Sequence, residues 1–299
     1  MGLASLVLQM INKYALPLMF IIVFTMVGLC VFAYEQQVNY FFLFAGMGTA
    51  QAFCEWLTIF YPAKKQTVRR IFQASVGGML FIWLSLRVGV NFQFTQIVFG
   101  FLGGVTTAAL IQFIIARIVF PFFIGNGFCS RACWDGVIFE LVQDKIPKAK
   151  HPRKRNEVIA FSYLIGLILI GAIVSSINNP AINESVSRYW IVGENLVLLT
   201  LGIGLSGFWG SRIYCRTFCP FISVSGIFSK FSVFKITPIN YTKCTSCGKC
   251  NESCPMLVDV RESVKNNKRI DNKSCIVCEH CVTACPEECL RLSPGLPWK

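Results

Sequence analysis

Up to about residue 239 the chain is a series of long apolar runs joined by short polar connections. Six runs approach the roughly 20 apolar residues that cross a bilayer core: Ala15–Tyr34, Tyr40–Tyr61, Ile71–Leu86, Gln96–Val119, Val158–Ser176 and Tyr189–Gly210. The first and fifth hold no charge, the second contains Glu55, and the sixth has Glu194 near its start. The fourth is rich in small residues (Gly100, Gly103, Gly104, Ala108, Ala109) and has Arg117 near its end. None alternates with the two-residue period of a half-buried strand, so all six are predicted to be helices. Beyond Tyr241 the apolar runs stop and cysteines crowd together. The pattern predicts a polytopic α-helical membrane bundle over residues 1–239 and a small α+β domain over 240–299.

Composition supports that division. Hydrophobic residues make up 54% of the 299 and charged residues only 14%, well below the quarter usual in soluble domains. An ordinary soluble enzyme is excluded. Lys and Arg number 28 against 15 Asp and Glu, an excess of 13. Residues 1–239 hold 19 of those bases against 8 acids, and the last 60 residues are nearly balanced at 9 against 7.

The bases follow the connections. Lys64, Lys65, Arg69 and Arg70 precede the third run, and Lys145, Lys148, Lys150, Arg153, Lys154 and Arg155 precede the fifth. Arg212, Arg216, Lys230 and Lys235 follow the sixth, whereas the stretches Glu35–Asn39 and Ser176–Ser187 hold no Lys or Arg. This alternation is the positive-inside pattern. It predicts a multi-pass protein of a bacterial or archaeal cytoplasmic membrane, with both termini and the C-terminal domain cytoplasmic. The charge is a topology signal, with lipid rather than nucleic acid as the partner. Ala15–Tyr34 is longer than the core of a signal peptide and only Lys13 stands before it, so it is predicted to be a retained span.

Fifteen cysteines against two histidines direct the chemistry. Lys243–Pro255 reads KCTSCGKCNESCP and Ser274–Pro286 reads SCIVCEHCVTACP. Both are C-x₂-C-x₂-C-x₃-C-P runs, the pattern that holds [4Fe-4S] clusters. Three closely spaced thiolates wrap one cube, and the fourth reaches the other cube. That rule assigns Cys244, Cys247, Cys250 and Cys285 to one cluster, and Cys275, Cys278, Cys281 and Cys254 to the second. Zinc knuckles also use C-x₂-C pairs but need no crossed C-x₃-C-P, and a cytoplasmic location disfavours disulfides. Arg269–Lys273 is predicted as strand and turn, and His280 as a surface residue shaping hydrogen bonds near the second cluster.

A quieter repeat lies upstream. Phe128–Gly136 reads FCSRACWDG and Tyr214–Pro220 reads YCRTFCP, two C-x₃-C pairs 86 residues apart. On an α-helix each pair would share one face. Cys129, Cys133, Cys215 and Cys219 are therefore candidate ligands of a third iron–sulfur cluster, or redox-active thiols, against the plainer reading of buried helix-end cysteines. Arg131, Arg212 and Arg216 are placed by sequence to lower the thiol pKa values and steady an anionic centre. Cys30, Cys54 and Cys289 remain as packing residues.

With these parts the chain resembles the NapH-type membrane polyferredoxins, which share features with NosR-like and CcoG-like membrane iron–sulfur proteins. The resemblance covers about Phe120–Pro294 and is closest over YCRTFCPFISVSGIFSKFSVFKI and the KCTSCGKC motif. One departure is Trp134, where the family's first repeat carries proline after its second cysteine. The resemblance implies electron transfer between membrane quinol and a redox partner, as an electron-transfer subunit of an oxidoreductase complex. Its alternative implication is an accessory electron donor for maturation of a metalloenzyme.

Other cofactors are not expected. The two histidines, His151 and His280, lie outside the apolar runs, so no bound haem is predicted. No C-x-x-C-H haem motif is present, and no G-x-G-x-x-G follows a strand: the Gly202–Gly210 stretch, GIGLSGFWG, lies in the sixth apolar run, where close helix packing is the natural reading. Glu55, a charge within an apolar run, is a candidate proton acceptor beside a quinone, with Arg87, Arg117 or Glu194 as partners. Its plainer reading is a protonated acid hydrogen-bonded to another helix.

Overall fold

The computed structural model describes residues 3–36, 38–87, 89–105, 107–143 and 155–295. Two long helices, α1 (Leu3–Glu35) and α2 (Val38–Phe60), open the chain and pack closely together. Gly48 permits this approach: a Cβ there would lie 2.5 Å from the Phe24 Cβ. Helix α3 (Lys65–Gly78) continues as π-helical turns over Met79–Arg87. Next come α4 (Phe94–Gly103) and α5 (Ala108–Phe113). A π-helical stretch over Ile114–Val119 carries α5 into α6 (Phe120–Ile124).

Four helical runs among the described residues are long and apolar enough to cross a membrane: Tyr14–Ala33, Leu110–Arg131, Val158–Asn178 and Val186–Trp209. Six were expected, and the differences have local causes. The expected fourth span is broken at Gly104, whose φ of 65° caps α4 in the left-handed conformation that glycine favours. Helix α2 turns Gln51, Glu55 and Thr58 inward, while α3 begins with Lys65, Gln66, Arg69, Arg70 and Gln73. Those polar residues shorten the apolar stretch. The expected basic stretch Lys145–Lys154, with His151, lies outside the described residues.

The last two long helices are α9 (Arg155–Asn178) and α10 (Glu184–Trp209). Val158, Phe161, Leu169 and Ile173 of α9 stand exposed. A helix showing that much apolar surface suits lipid rather than water. This is a membrane protein.

Between these helices lie the short elements that build the sites. Helices α7 (Phe128–Arg131) and α8 (Trp134–Gln143) carry the first C-x₃-C pair at their junction. A π-helical turn over Tyr214–Phe218, followed by α11 (Pro220–Phe228), carries the second.

The C-terminal module pairs β1 (Phe234–Pro238) antiparallel with β2 (Leu290–Pro294), matching Phe234 to Pro294 and Pro238 to Leu290. Its first strand thus precedes the expected boundary at residue 240. Helices α12 (Lys249–Glu252), α13 (Val260–Lys265) and α14 (His280–Thr283) complete it around Ile236, Val260, Val264, Ile270, Ile276 and Leu290. Arg269–Lys273 is coil and turn rather than the expected strand; Ile270 N–H donates to the Ile236 carbonyl at the edge of β1.

Candidate iron–sulfur sites

The two ferredoxin motifs share one backbone course. Ser246 and Gly248 flank Cys247 at φ 56° and 81°, and Val277 and Glu279 flank Cys278 at φ 52° and 62°. Positive φ at a β-branched valine is a strained conformation of the kind that concentrates at functional loops. After each Cys-Pro step a further left-handed residue follows, Leu257 and Glu288. The fourth cysteine of each motif accepts from an amide four residues on, Val258 N–H to Cys254 Sγ at 3.4 Å and Cys289 N–H to Cys285 Sγ at 3.3 Å. Pro255 and Pro286 provide no amide hydrogen.

These matched loops enclose two cavities. Cys244, Cys247, Cys250 and Cys285 line one. Cys254, Cys275, Cys278 and Cys281 line the other. The fourth cysteine of each motif therefore faces the other motif's three. No three Cys, His, Asp or Glu side chains among the described residues converge as the ligand shell of one metal ion. The four thiols instead stand around a volume, which fits a cube carrying one thiolate on each iron.

The two cavities differ in surroundings. Cys247 is exposed, and local backbone hydrogen bonds hold its thiol below the ordinary value. Cys278 and Cys281 are buried. Burial pushes Cys275 up to about 12 and Cys254 up to about 11. For Cys278, a hydrogen bond from His280 and the charge of Arg69 outweigh burial and bring the thiol below its usual value. His280 is half-buried rather than a surface residue, and its Nε2 lies 3.7 Å from Glu140.

Both C-x₃-C pairs depart from regular α-helix. The Cys133 amide reaches back to the Phe128 carbonyl at 3.1 Å, and the Cys219 amide to that of Tyr214 at 2.9 Å. Each bond spans five residues, a π-type turn common at functional sites. A new helix begins directly after each second cysteine, at Trp134 and at Pro220. Trp134 therefore preserves the repeat's geometry despite replacing proline. Gln73 of α3 fastens the first turn by donating to the carbonyls of Cys129 at 3.2 Å and Cys133 at 3.4 Å.

Cys129, Cys133, Cys215 and Cys219 line one cavity together with Arg117, Asp135 and Tyr214. Burial pushes Cys215 up to about 12, Cys219 up to about 11 and Cys133 well above its ordinary value. Asp135 is also lifted by burial, to about 6. The expected depression of these thiols by neighbouring arginines is thus outweighed. Arg131 points elsewhere, donating to Glu55 at 2.6 Å, the Val277 carbonyl at 2.9 Å and Glu279 at 3.2 Å. Arg216 donates to the carbonyls of Ser211 and Trp209. Arg212 lowers Cys215, and Arg117, not singled out for this site by sequence, donates to Cys129 Sγ at 3.1 Å.

Two buried carboxylates organise the region where the helices meet the module. Glu140 of α8 accepts from Arg69 and Arg212, and from Arg70 at 3.1 Å. Burial would raise its carboxyl, but Arg212 and Arg69 hold it at about 2. Glu279, between ligand candidates Cys278 and Cys281, pairs with Lys65 and Arg131. Burial opposes ionisation of Glu279 too, and Lys65 and Arg131 still bring it below its ordinary value. Gln66 adds a bond to the Cys278 carbonyl at 3.2 Å. The acidic residue inside CEHC was the sequence signal for this docking contact.

Glu55 meets Arg131 and Gln51, not Arg87, Arg117 or Glu194. Glu194 instead accepts from Thr95 at 2.5 Å and Trp190 at 2.9 Å. Cys54 and Cys289 are buried, and Cys30 is exposed.

Arg212 is held by Glu140 and the Gly136 carbonyl. It is the largest fully buried side chain in the described structure. Burial would lower its pKa, but Glu140 first, then Cys215, Cys278 and Cys133, raise it.

The C-terminal residues 236–286 match a family described as a 4Fe-4S dicluster domain. Residues 105–154 and 192–238, which contain the two C-x₃-C pairs, match a family described as a 4Fe-4S binding domain. An uncharacterised protein of Methanocaldococcus jannaschii is 28% identical over 240 residues, 77% of this chain and 88% of its own length. YccM of Escherichia coli, which carries a provisional electron-transport name, is 24% identical over 255 residues, 79% of this chain and 68% of its own. The ferredoxin-type protein NapH of Haemophilus influenzae is 26% identical over 145 residues, 44% of this chain and 48% of its own. No solved structure matches the chain. With both 4Fe-4S matches and these relatives, the chain resembles the NapH-type polyferredoxins.

Proposed function

We propose that this chain is a membrane-bound electron relay with three iron–sulfur sites, working as a subunit of a redox complex between a membrane quinone and a redox partner. One observation carries the reading: twelve cysteines fall into three cavities of four thiols each. The outer site would be held by Cys244, Cys247, Cys250 and Cys285, and the inner by Cys254, Cys275, Cys278 and Cys281. The third would be held by Cys129, Cys133, Cys215 and Cys219. Bound there, clusters supply one-electron carriage, while the protein sets their environment and orientation.

The chain's own residues do the rest. Glu279 fastens the module to Lys65 of α3 and Arg131 of α7, while Glu140 of α8 ties Arg69 and Arg212 together beneath His280, holding the inner and third sites in a fixed relation. Burial of Cys278, Cys281, Cys129 and Cys215 keeps water from those sites, while exposed Cys247 leaves the outer one open to a partner. Glu55 acts as a positioning residue for Arg131 rather than as a proton acceptor. The basic connections favour a topology with both termini and the module on the cytoplasmic face of a bacterial or archaeal membrane.

The relay is tested with the reconstituted full-length protein in liposomes. Reduced protein mixed with a menaquinone analogue should regain its oxidised visible absorption as quinol forms. Inertness toward quinone, with an immature metalloenzyme in a deletion strain, would instead identify a maturation donor.

A further inference from the structure

Arg117 is 4% exposed and lies within the apolar run Leu110–Arg131. Its guanidinium is clamped between two aromatic rings, 4.7 Å from the centroids of Phe128 and Phe221. Nη1 donates to Cys129 Sγ at 3.1 Å, and buried Nε has no hydrogen-bond partner. Among the described residues Arg117 forms no ion pair with a carboxylate. Asp135 lines the same cavity and its carboxyl is favoured in its charged form by Arg117, but the two form no ion pair and its buried Oδ1 lacks a hydrogen-bond partner, so it offsets the cation only in part.

Such a group is costly in isolation. A guanidinium remains charged in proteins, and an uncompensated buried charge costs several kcal/mol. Two aromatic faces offset part of this cost. Four neutral thiols would leave the remainder unmet, whereas a cluster bound by four thiolates is anionic and gains a negative charge on reduction. The cation stands where that charge would form, in a site screened from water.

We propose that Arg117 is the fixed countercharge of an iron–sulfur cluster in the C-x₃-C cavity, raising the reduction potential of that centre alone. This rests on the reading of the cavity as a third cluster site. The π-helical stretch Ile114–Val119 supports the assignment, because it sets the direction in which Arg117 leaves its helix. Removal of the charge disfavours the reduced form and lowers the potential. Lysine retains the charge while losing the planar fit between the rings.

The test is an EPR-monitored redox titration of full-length wild type, Arg117→Gln and Arg117→Lys, with iron counted in each. The third signal should titrate at lower potential in Arg117→Gln and near the wild-type value in Arg117→Lys, while both ferredoxin signals stay fixed. Loss of the third signal in the glutamine variant but not the lysine variant also supports a charge requirement. An unchanged third potential in Arg117→Gln, an equal fall in both variants, or loss of the signal in both overturns the countercharge. A wild type with about eight irons and only two signals removes the third site itself, and the proposal with it.

Discussion

Replacing Glu140 with alanine should destabilise the folded chain by about 3–5 kcal/mol, the usual cost of removing one partner from a buried ion pair. Glu140 is 2% exposed and receives Arg69, Arg70 and Arg212. Of these, Arg69 and Arg212 are themselves buried. Its loss leaves those guanidinium groups together without their shared anion. Thermal unfolding of the purified protein in detergent reads the effect, and a melting temperature equal to wild type would show that Glu140 is not the hub. The pH response has a definite sign. Arg212 and Arg69 overcome burial to hold the carboxyl at about 2, against its ordinary 4.5. A depressed carboxyl contributes stability above its ordinary value, and that contribution disappears as pH falls from 4.5 through about 2. Glu140→Gln should be less stable than wild type at neutral pH and should lose this part of the acid response.

The second large effect concerns which cysteines act together. Serine at Cys254 or at Cys278 should abolish the same low-potential EPR signal, because both line the inner cavity. Serine at Cys247 or at Cys285 should abolish the other signal, because both line the outer cavity. Each replacement should lower bound iron by about four atoms per chain, the content of one cube. If Cys254 instead grouped with Cys247, each motif would hold its own cluster and the crossed arrangement would be wrong.

That crossing was legible because C-x₂-C-x₂-C-x₃-C-P encodes both the three-thiol loop and the outward fourth ligand within a dozen residues. The C-x₃-C repeat likewise disclosed which four cysteines meet, since duplication at the ends of apolar runs survives in linear sequence. Its local geometry was not legible. A spacing of four suggests an α-helical face, but the bonds from Cys133 to Phe128 and from Cys219 to Tyr214 make wider turns. Apolar length alone also joined α4 to α5 across Gly104, whose effect depends on a left-handed φ.

Charge partners were the least readable feature. Arg131 lies between two cavity cysteines in sequence yet turns to Glu55 and Glu279, whereas Arg117, 12 residues before Cys129, supplies the cation at the thiol. Sequence neighbours differ in direction around a turn, and residues from separate helical pieces can converge. Glu55 illustrates the same limit: its apolar run suggested a proton site, but Arg131 from another element occupies its carboxylate.

The central claim is that the chain carries three cluster sites rather than the two of its C-terminal module. Its most direct measurement is iron and acid-labile sulfide per chain, with an EPR redox titration, on full-length wild type and on a variant with serine at Cys129 and Cys215. About twelve irons and three signals in wild type, falling to about eight and two in the variant, is the expected result. About eight irons, two signals and no change in the variant would contradict it.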